Sequence, residues 1–333
     1  MLAKQLIELG YCTVVCRVSG MSREKWLEKR RSGIGGSDAG AIMGLNKWST
    51  PLTVYFAKKN IEKEQESDNL AIQWGNMAEN AIRSGVAKEL GVKAVKVPYM
   101  FRSLENPFMI ADLDGLVFAK DEINVNGTKI QGLGGLEIKT TTKFNNEFKD
   151  DEIPDSYFCQ VQHYMAVTGL KWFILAVMID KVGGKMYVIP RNEGFIEQLI
   201  EKERVFWQEF VEADIPPAPT GSDRELEYIA ALPMAESVEL DCEELFDEKE
   251  QIDLTIKDLK AKSDALKAQI LLNVAEKSDG SAEKTVATAG QWKITYSTQE
   301  RKTADVKALE KDGLTDYIKT SSSRVARFTR IKA

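Results

Sequence analysis

Between Ile110 and Thr140 the chain places acidic residues inside runs that read as β-strands, and that combination leaves few folds open. In Gly135-Leu136-Glu137-Ile138-Lys139-Thr140, alternation puts Leu136 and Ile138 on one face and Glu137 with Lys139 on the other, because successive strand side chains point oppositely. The first face is core; the second carries chemistry. The preceding strand, Ile110 to Phe118, is an apolar run broken by Asp112 and Asp114, which share a face, and Asp114-Gly115 can turn or bulge there. A polar loop joins the two strands. Hydrolysis of a phosphodiester needs hard oxygen ligands for Mg²⁺, which Asp114 and Glu137 can supply. Lys139, on the same face, can orient or deprotonate the attacking water or hold a phosphate oxygen. An isolated Glu-x-Lys is more often the exposed side of a surface hairpin, so the motif needs company.

Composition bounds what that company can be. The chain has 333 residues, 43% of them hydrophobic and 29% charged, enough for a large core in two domains or one domain with an extension. Residues 1–20, expected as a leader segment, carry Lys4, Glu8 and Arg17 and lack the apolar core of a signal peptide; no later stretch is long enough to span a bilayer. A cytoplasmic protein without a membrane partner is expected. Cys12, Cys16, Cys159 and Cys242 show no Cys-x-x-Cys spacing, which argues against a zinc site or a disulfide framework. The net charge of −6 is unevenly spread: residues 221–283 hold 17 acidic against 7 basic side chains, which leaves the remainder at +4. Residues 22–60 hold 8 basic against 3 acidic side chains, a balance suited to phosphate contacts or to an ordinary solvated helix face.

In chain order, a basic helix is expected to end near Gly33, and Gly33-Ile34-Gly35-Gly36 leads to Ser37 or Asp38 as N-cap of a short helix through Ile42. With Arg30 or Arg31 upstream, Ser37 and the free amides of that helix can grip a terminal phosphate; a plain glycine turn between helices reads equally well. Pro51 to Lys59 is expected as a packing helix. Leu70 to Leu90 carries Trp74, Ala78, Ile82, Val86 and Leu90 at helical spacing, with Glu79 bordering the stripe and Gly75 clearing room beside it. Glu79 is a candidate further carboxylate, or an ordinary flanking one. Lys143 to Ile153, with Phe144 and Phe148, reads as a mobile segment that touches DNA. In the helix from Pro154 to Gly169, Gln160 lies on the core face and needs a partner, whether a site water, a carboxylate, a nucleotide or a backbone carbonyl, whereas His163 lies off that face as a structural or surface residue. Trp172 to Ile179, a Gly183-Gly184 hairpin, a strand to Ile189 and a helix from Glu193 to Glu212 close the core. A Pro-containing linker (216–235), a long amphipathic helix (236–276) with a heptad-like stripe, and a small α/β region with a basic tail (277–333) follow.

Taken together and in this order, Trp26 through Asp38, Trp74-Gly75-x-x-x-Glu79, Asp114-Gly115, Glu137-Ile138-Lys139 and Gln160-Val161-Gln162 resemble the YqaJ family of viral recombinases, akin to the phage lambda exonuclease, over residues 21–215. The resemblance implies an α/β, restriction-endonuclease-like PD-(D/E)xK core, a central mixed sheet flanked by helices, with a helical plus small β C-terminal extension. It makes Asp114, Glu137 and Glu79 metal-site acids, Lys139 the catalytic lysine, Gln160 a supporting glutamine, and Arg30 with Ser37 the 5′-phosphate site, Arg31 being the rival to Arg30. It implies Mg²⁺, with Mn²⁺ as a substitute, and 5′-to-3′ degradation of linear double-stranded DNA ends to mononucleotides. It further implies a single-strand annealing partner of the RecT/Bet type and a closed homo-oligomer such as a ring trimer. Leu113 stands where the superfamily name places proline, and Asp112 is an extra acid. A restriction-like endonuclease and a non-cutting DNA-binding scaffold are the alternatives.

Overall fold

The computed structural model describes residues 2–61, 70–142, 148, 152–180, 183–233, 237–278, 284–297 and 311, of which 70–76 are described by their backbone alone. Met1–Pro233 form one compact unit and Met234–Ala333 a second.

The first unit opens with helix α1 (Leu2–Glu8) and strand β1 (Cys12–Arg17), followed by helices α2 (Arg23–Arg31), α3 (Gly36–Ile42), α4 (Pro51–Lys58) and α5 (Leu70–Leu90). Strands β2 (Lys93–Val95), β3 (Tyr99–Ser103), β4 (Ile110–Asp112), β5 (Gly115–Val125) and β6 (Thr128–Thr141) come next. Helix α6 (Asp155–Thr168), strands β7 (Trp172–Ile179) and β8 (Gly183–Pro190), helix α7 (Glu193–Val205), a π-helical stretch (Phe206–Glu212) and helix α8 (Asp223–Ala231) complete it. The main sheet runs β2-β5-β6-β7-β8 and is mixed: β6 and β7 are parallel, the other neighbours antiparallel. Parallel strands require a crossover, and α6 supplies it. The sheet alternates as the sequence demands. Val117, Leu136, Ile138, Ile174 and Ala176 pack with Val86 of α5, and Phe173, Leu175 and Val177 pack with Val161 and Met165 of α6. A mixed sheet flanked by helices, as expected for the core, is therefore present.

Three local expectations change. The run Ile110 to Phe118 is two strands: β4 pairs with β3 in a small β1-β3-β4 sheet, and β5 begins the main-sheet hairpin, so the chain crosses between sheets at Leu113-Asp114. The polar loop expected before Gly135 is largely strand; Asn126 and Gly127, at φ 50° and 89°, make a two-residue turn that matches the strand twist. The glycines at 183 and 184 lie within β8 and pair with Ile179 and Met178.

Residues 2–17, expected within a leader, are part of the core. Leu2, Leu6 and Cys12 are buried in the cluster that contains Val161 and Met165, and β1 pairs with β3. Part of the expected linker is also built in: Thr50 donates to the buried Glu225 of α8, and Tyr228 meets Phe56 at 5.7 Å between ring centroids. In the second unit, α9 (Glu243–Glu276) is a 34-residue helix with no buried residue, and β9 (Lys284–Ala289) pairs with β10 (Trp292–Ser297). The expected helix near Asp305 and the basic tail around Phe328 lie outside the described residues, as do the linker at 63–69, Phe144, and the side chain of Trp74.

Candidate active site

Asp114 stands at the sheet crossing, where the backbone leaves β4 and enters β5. Its position is fixed twice: Oδ2 accepts the Ile138 N–H at 2.8 Å, and its carbonyl accepts both Nε and Nη2 of the buried Arg83 at 3.2 and 2.9 Å. The carboxylate therefore lies against β6 one residue from Glu137. Glu137 and Lys139 share the face of β6 covered by α6, where Glu137 is 3% exposed. Its two oxygens differ. Oε1 accepts Lys139 Nζ at 2.8 Å and Gln160 Nε2 at 2.7 Å, while Oε2 is buried with no hydrogen-bond partner. The partner that Gln160 needed is thus the Glu137 carboxylate, and the same amide donates to the Tyr164 hydroxyl at 3.0 Å.

Electrostatics follow from this crowding. Burial, then the neighbouring Asp114, push Glu137 up to about 8 against the pull of Lys139. Burial also raises Asp114, with the Ile138 amide and Lys139 opposing, and raises Glu79, reinforced by Asp114. Burial draws Lys139 down, but Glu137 outweighs it and keeps the amine charged beyond its usual range. Its Nζ also lies 4.9 Å from the Tyr157 ring centroid. Glu79 borders the same cleft with Arg83 and Lys96 each 3.9 Å away.

The phosphate candidates enter this cleft from the other side. Arg30 donates to Ser37 Oγ at 2.8 Å and to Asp38 Oδ1 at 3.0 Å. The glycines at 35 and 36 are there for close approach: a Cβ on the first would lie 2.9 Å from Arg30 Nη2, and on the second 2.5 Å from the Tyr164 ring. The N-cap of α3 is Gly35 rather than Ser37 or Asp38, and Asp38 instead accepts the Gly35 N–H at 2.9 Å. Lys58, expected only to pack, reaches Asp38 Oδ2 at 2.7 Å and the Arg30 carbonyl at 3.1 Å. Burial would raise Asp38, but Lys58 and Arg30 hold its carboxyl well below the usual carboxylate range. A cleft of about 500 Å³ joins Arg30 and Ser37 to Glu79, Asp114, Glu137 and Gln160. Arg31 is not in its lining.

Two expectations do not place residues here. Phe148 is not a DNA contact: it is 1% exposed and stacks between Tyr157 and Tyr187, with ring centroids 5.5 and 5.9 Å away. His163 is not on the surface. It is fully buried, with Nδ1 against Glu203 at 2.8 Å and Nε2 against the Ile110 carbonyl at 2.9 Å, so its role is to join α6 to α7 and β4. Sequence reasoning missed Arg83 and Lys58. Arg83 sits one helical turn beyond Glu79, which is the signal that would have pointed to it.

Among the described residues no three acidic, histidine or cysteine side chains stand close enough to enclose an ion by themselves. Two carboxylates, one of which has an unpartnered buried oxygen, nonetheless suit a hard cation that retains several waters, which is how Mg²⁺ is commonly held.

Residues 25–171 match the YqaJ-like viral recombinase domain, and the motifs above all lie in or next to that span. This region is similar to the YqaJ-like viral recombinase domain. The chain is 35% identical over 220 residues to the uncharacterized protein YqaJ of Bacillus subtilis, a match covering 65% of each chain. It thus spans just under two thirds of that relative's length. Among solved structures, it is similar to the alkaline exonuclease LHK-Exo of Laribacter hongkongensis, with 19% identity, a TM-score of 0.45, and coverage of 57% of this chain and 93% of that one. A phage-related exonuclease of Haemophilus somnus gives 14% identity and a TM-score of 0.37, covering 57% of this chain and 99% of that one.

Proposed function

We propose that this YqaJ-like chain is a metal-dependent 5′-to-3′ exonuclease that degrades linear double-stranded DNA to mononucleotides. The observation that carries the reading is the division of labour at Glu137: Lys139 and Gln160 hold Oε1, and Oε2 is left buried and unpartnered. A buried acceptor without a donor is costly, so such an atom implies a missing partner. Asp114 and Glu137 would hold Mg²⁺, or Mn²⁺ in its place, with Glu79 beside them. When bound, such an ion stabilises charge on the phosphate and lowers the pKa of a coordinated water.

The residues of the chain divide the remaining work. Gln160, whose amide also donates to the Tyr164 hydroxyl, holds Oε1 of the Glu137 carboxylate. Lys139, held as an ammonium, orients the attacking water or a phosphate oxygen and stabilises charge that develops as the bond breaks. Arg83 holds the Asp114 carbonyl and so the acid's backbone. Arg30 and Ser37, in the same cleft, seat a 5′ phosphate, which places the adjoining phosphodiester toward the acids and gives the enzyme its end preference and polarity. The product would be a duplex with a 3′ single strand, the substrate of an annealing protein of the RecT/Bet type.

The test is degradation of linear duplex with 5′-phosphate or 5′-hydroxyl ends, beside a closed circle, in Mg²⁺ and in EDTA. Mononucleotide release from phosphorylated ends, faster than from hydroxyl ends, absent in EDTA and absent on the circle, is expected. Cutting of the circle would make the enzyme an endonuclease, and DNA bound but intact in Mg²⁺ would make it a scaffold.

A further inference from the structure

Asp112 has no task in the hydrolytic site described above. It ends β4, two residues before Asp114, and lines the same cleft. Its Oδ2 accepts the indole N–H of Trp26 at 2.7 Å. Trp26 lies one turn before Arg30 on α2, and the Arg30 guanidinium carbon sits over the indole, 5.1 Å from its centroid. Arg30 then donates to Ser37 at 2.8 Å. A continuous chain, carboxylate to indole to guanidinium to hydroxyl, thus runs along the cleft wall from β4 to α3.

We propose that Asp112 is a positioning residue for recognition of the 5′-phosphorylated DNA end, acting through Trp26 on Arg30. The inference rests on the reading of Arg30 and Ser37 as the phosphate seat and goes one residue behind it. The second side-chain torsion of tryptophan has broad, roughly two-fold wells, so an indole is oriented by its contacts, and its single N–H donor must find an acceptor. Asp112 is that acceptor. With the ring plane fixed, the long Arg30 side chain has a flat, electron-rich support before DNA arrives, and less ordering remains to be done on binding. A carboxylate accepting the N–H also leaves more negative charge on the ring face under the guanidinium, which strengthens that contact.

The experiment measures affinity of the full chain, in EDTA so that no DNA is consumed, for 5′-phosphorylated and 5′-hydroxyl duplexes by fluorescence anisotropy, and takes the ratio as the phosphate preference. Asp112→Ala is expected to lower the ratio about tenfold, the range of one guanidinium–indole contact. Asp112→Asn, which keeps an acceptor for the indole, is expected to retain most of it. Trp26→Phe is expected to lower the ratio as far, and Asp112→Ala added to Trp26→Phe to lower it no further, because residues acting through one another are not additive. An unchanged ratio in Asp112→Ala, additive losses in the double variant, or an Asp112→Asn protein indistinguishable from Asp112→Ala would each overturn the proposal. A wild type that binds both ends alike would overturn the phosphate seat itself, and this inference with it, before any variant is compared.

Discussion

Glu137 is the residue where burial, charge and chemistry meet. Its carboxyl, raised from 4.5 to about 8, holds its proton at neutral pH in the metal-free protein. A metal-ligating carboxylate must be ionised, so cation binding and the proton compete. Mg²⁺ affinity is therefore expected to rise about tenfold per pH unit below that value and to level off above it. The Mg²⁺-induced shift in melting temperature, followed from pH 6.5 to 9, checks this, and a flat profile would count against it. The sign for the metal-free protein is opposite. Between the two pKa values the folded state binds a proton that the unfolded state has released, so stability falls as pH rises through that window, and Glu137→Gln removes that residue's share of the fall, leaving the smaller part due to the other raised acids. Asp114, Glu137 and Lys139 were legible in the sequence because strand alternation is local and states which side chains share a face. Arg83 and Lys58 were not, because their partners at 114 and at 30 and 38 are set by tertiary contact; spacing offered only the helical turn between Glu79 and Arg83.

At the scale of elements, α6 does more than carry Gln160. Its whole circumference is largely buried, which is why His163, placed off the core face by helical spacing, is enclosed after all. One face meets the sheet and another meets α3 and α7. A single-face reading assumes that the other side is solvent, and no periodicity reveals a third layer. Burial lowers His163, but Glu203 outweighs it and raises the imidazole; removing the acid leaves that group buried without its counter-ion. Glu203→Ala is expected to destabilise the first unit by about 3–5 kcal/mol, measured by urea unfolding. A loss under about 1 kcal/mol, the range of an exposed pair, would show that the pair contributes no more than a surface one. The strand break at Leu113-Asp114 has a similar origin. An apolar run reads as one strand, and only the pairing partners show that it serves two sheets.

For the whole molecule, the division falls at Pro233, later than the proline cluster at 216–219 suggests, since α8 packs on α4 through Glu225 and Tyr228. Proline-rich composition marks a change in backbone, not the end of burial. The N-terminal residues were misplaced for a related reason: α1 and β1 are short, and their buried side chains are too few to show a period. A chain ending after Pro233 is expected to unfold in one cooperative transition and to keep the site, because every side chain assigned to it lies before that point. Loss of that transition by calorimetry would show that the first unit needs the second. Among the described residues no helix is long and apolar enough to cross a membrane.

The most direct test of the account is the single-turnover rate of mononucleotide release from a 5′-phosphorylated linear duplex in saturating Mg²⁺, wild type against Lys139→Ala, with DNA affinity measured alongside. The rate is expected to fall by about 10²–10⁴-fold, the contribution of a positioned charged or proton-transferring group, while the DNA is still bound. A variant that degrades DNA at the wild-type rate would contradict it, because the ammonium on Glu137 would then have no part in the chemistry.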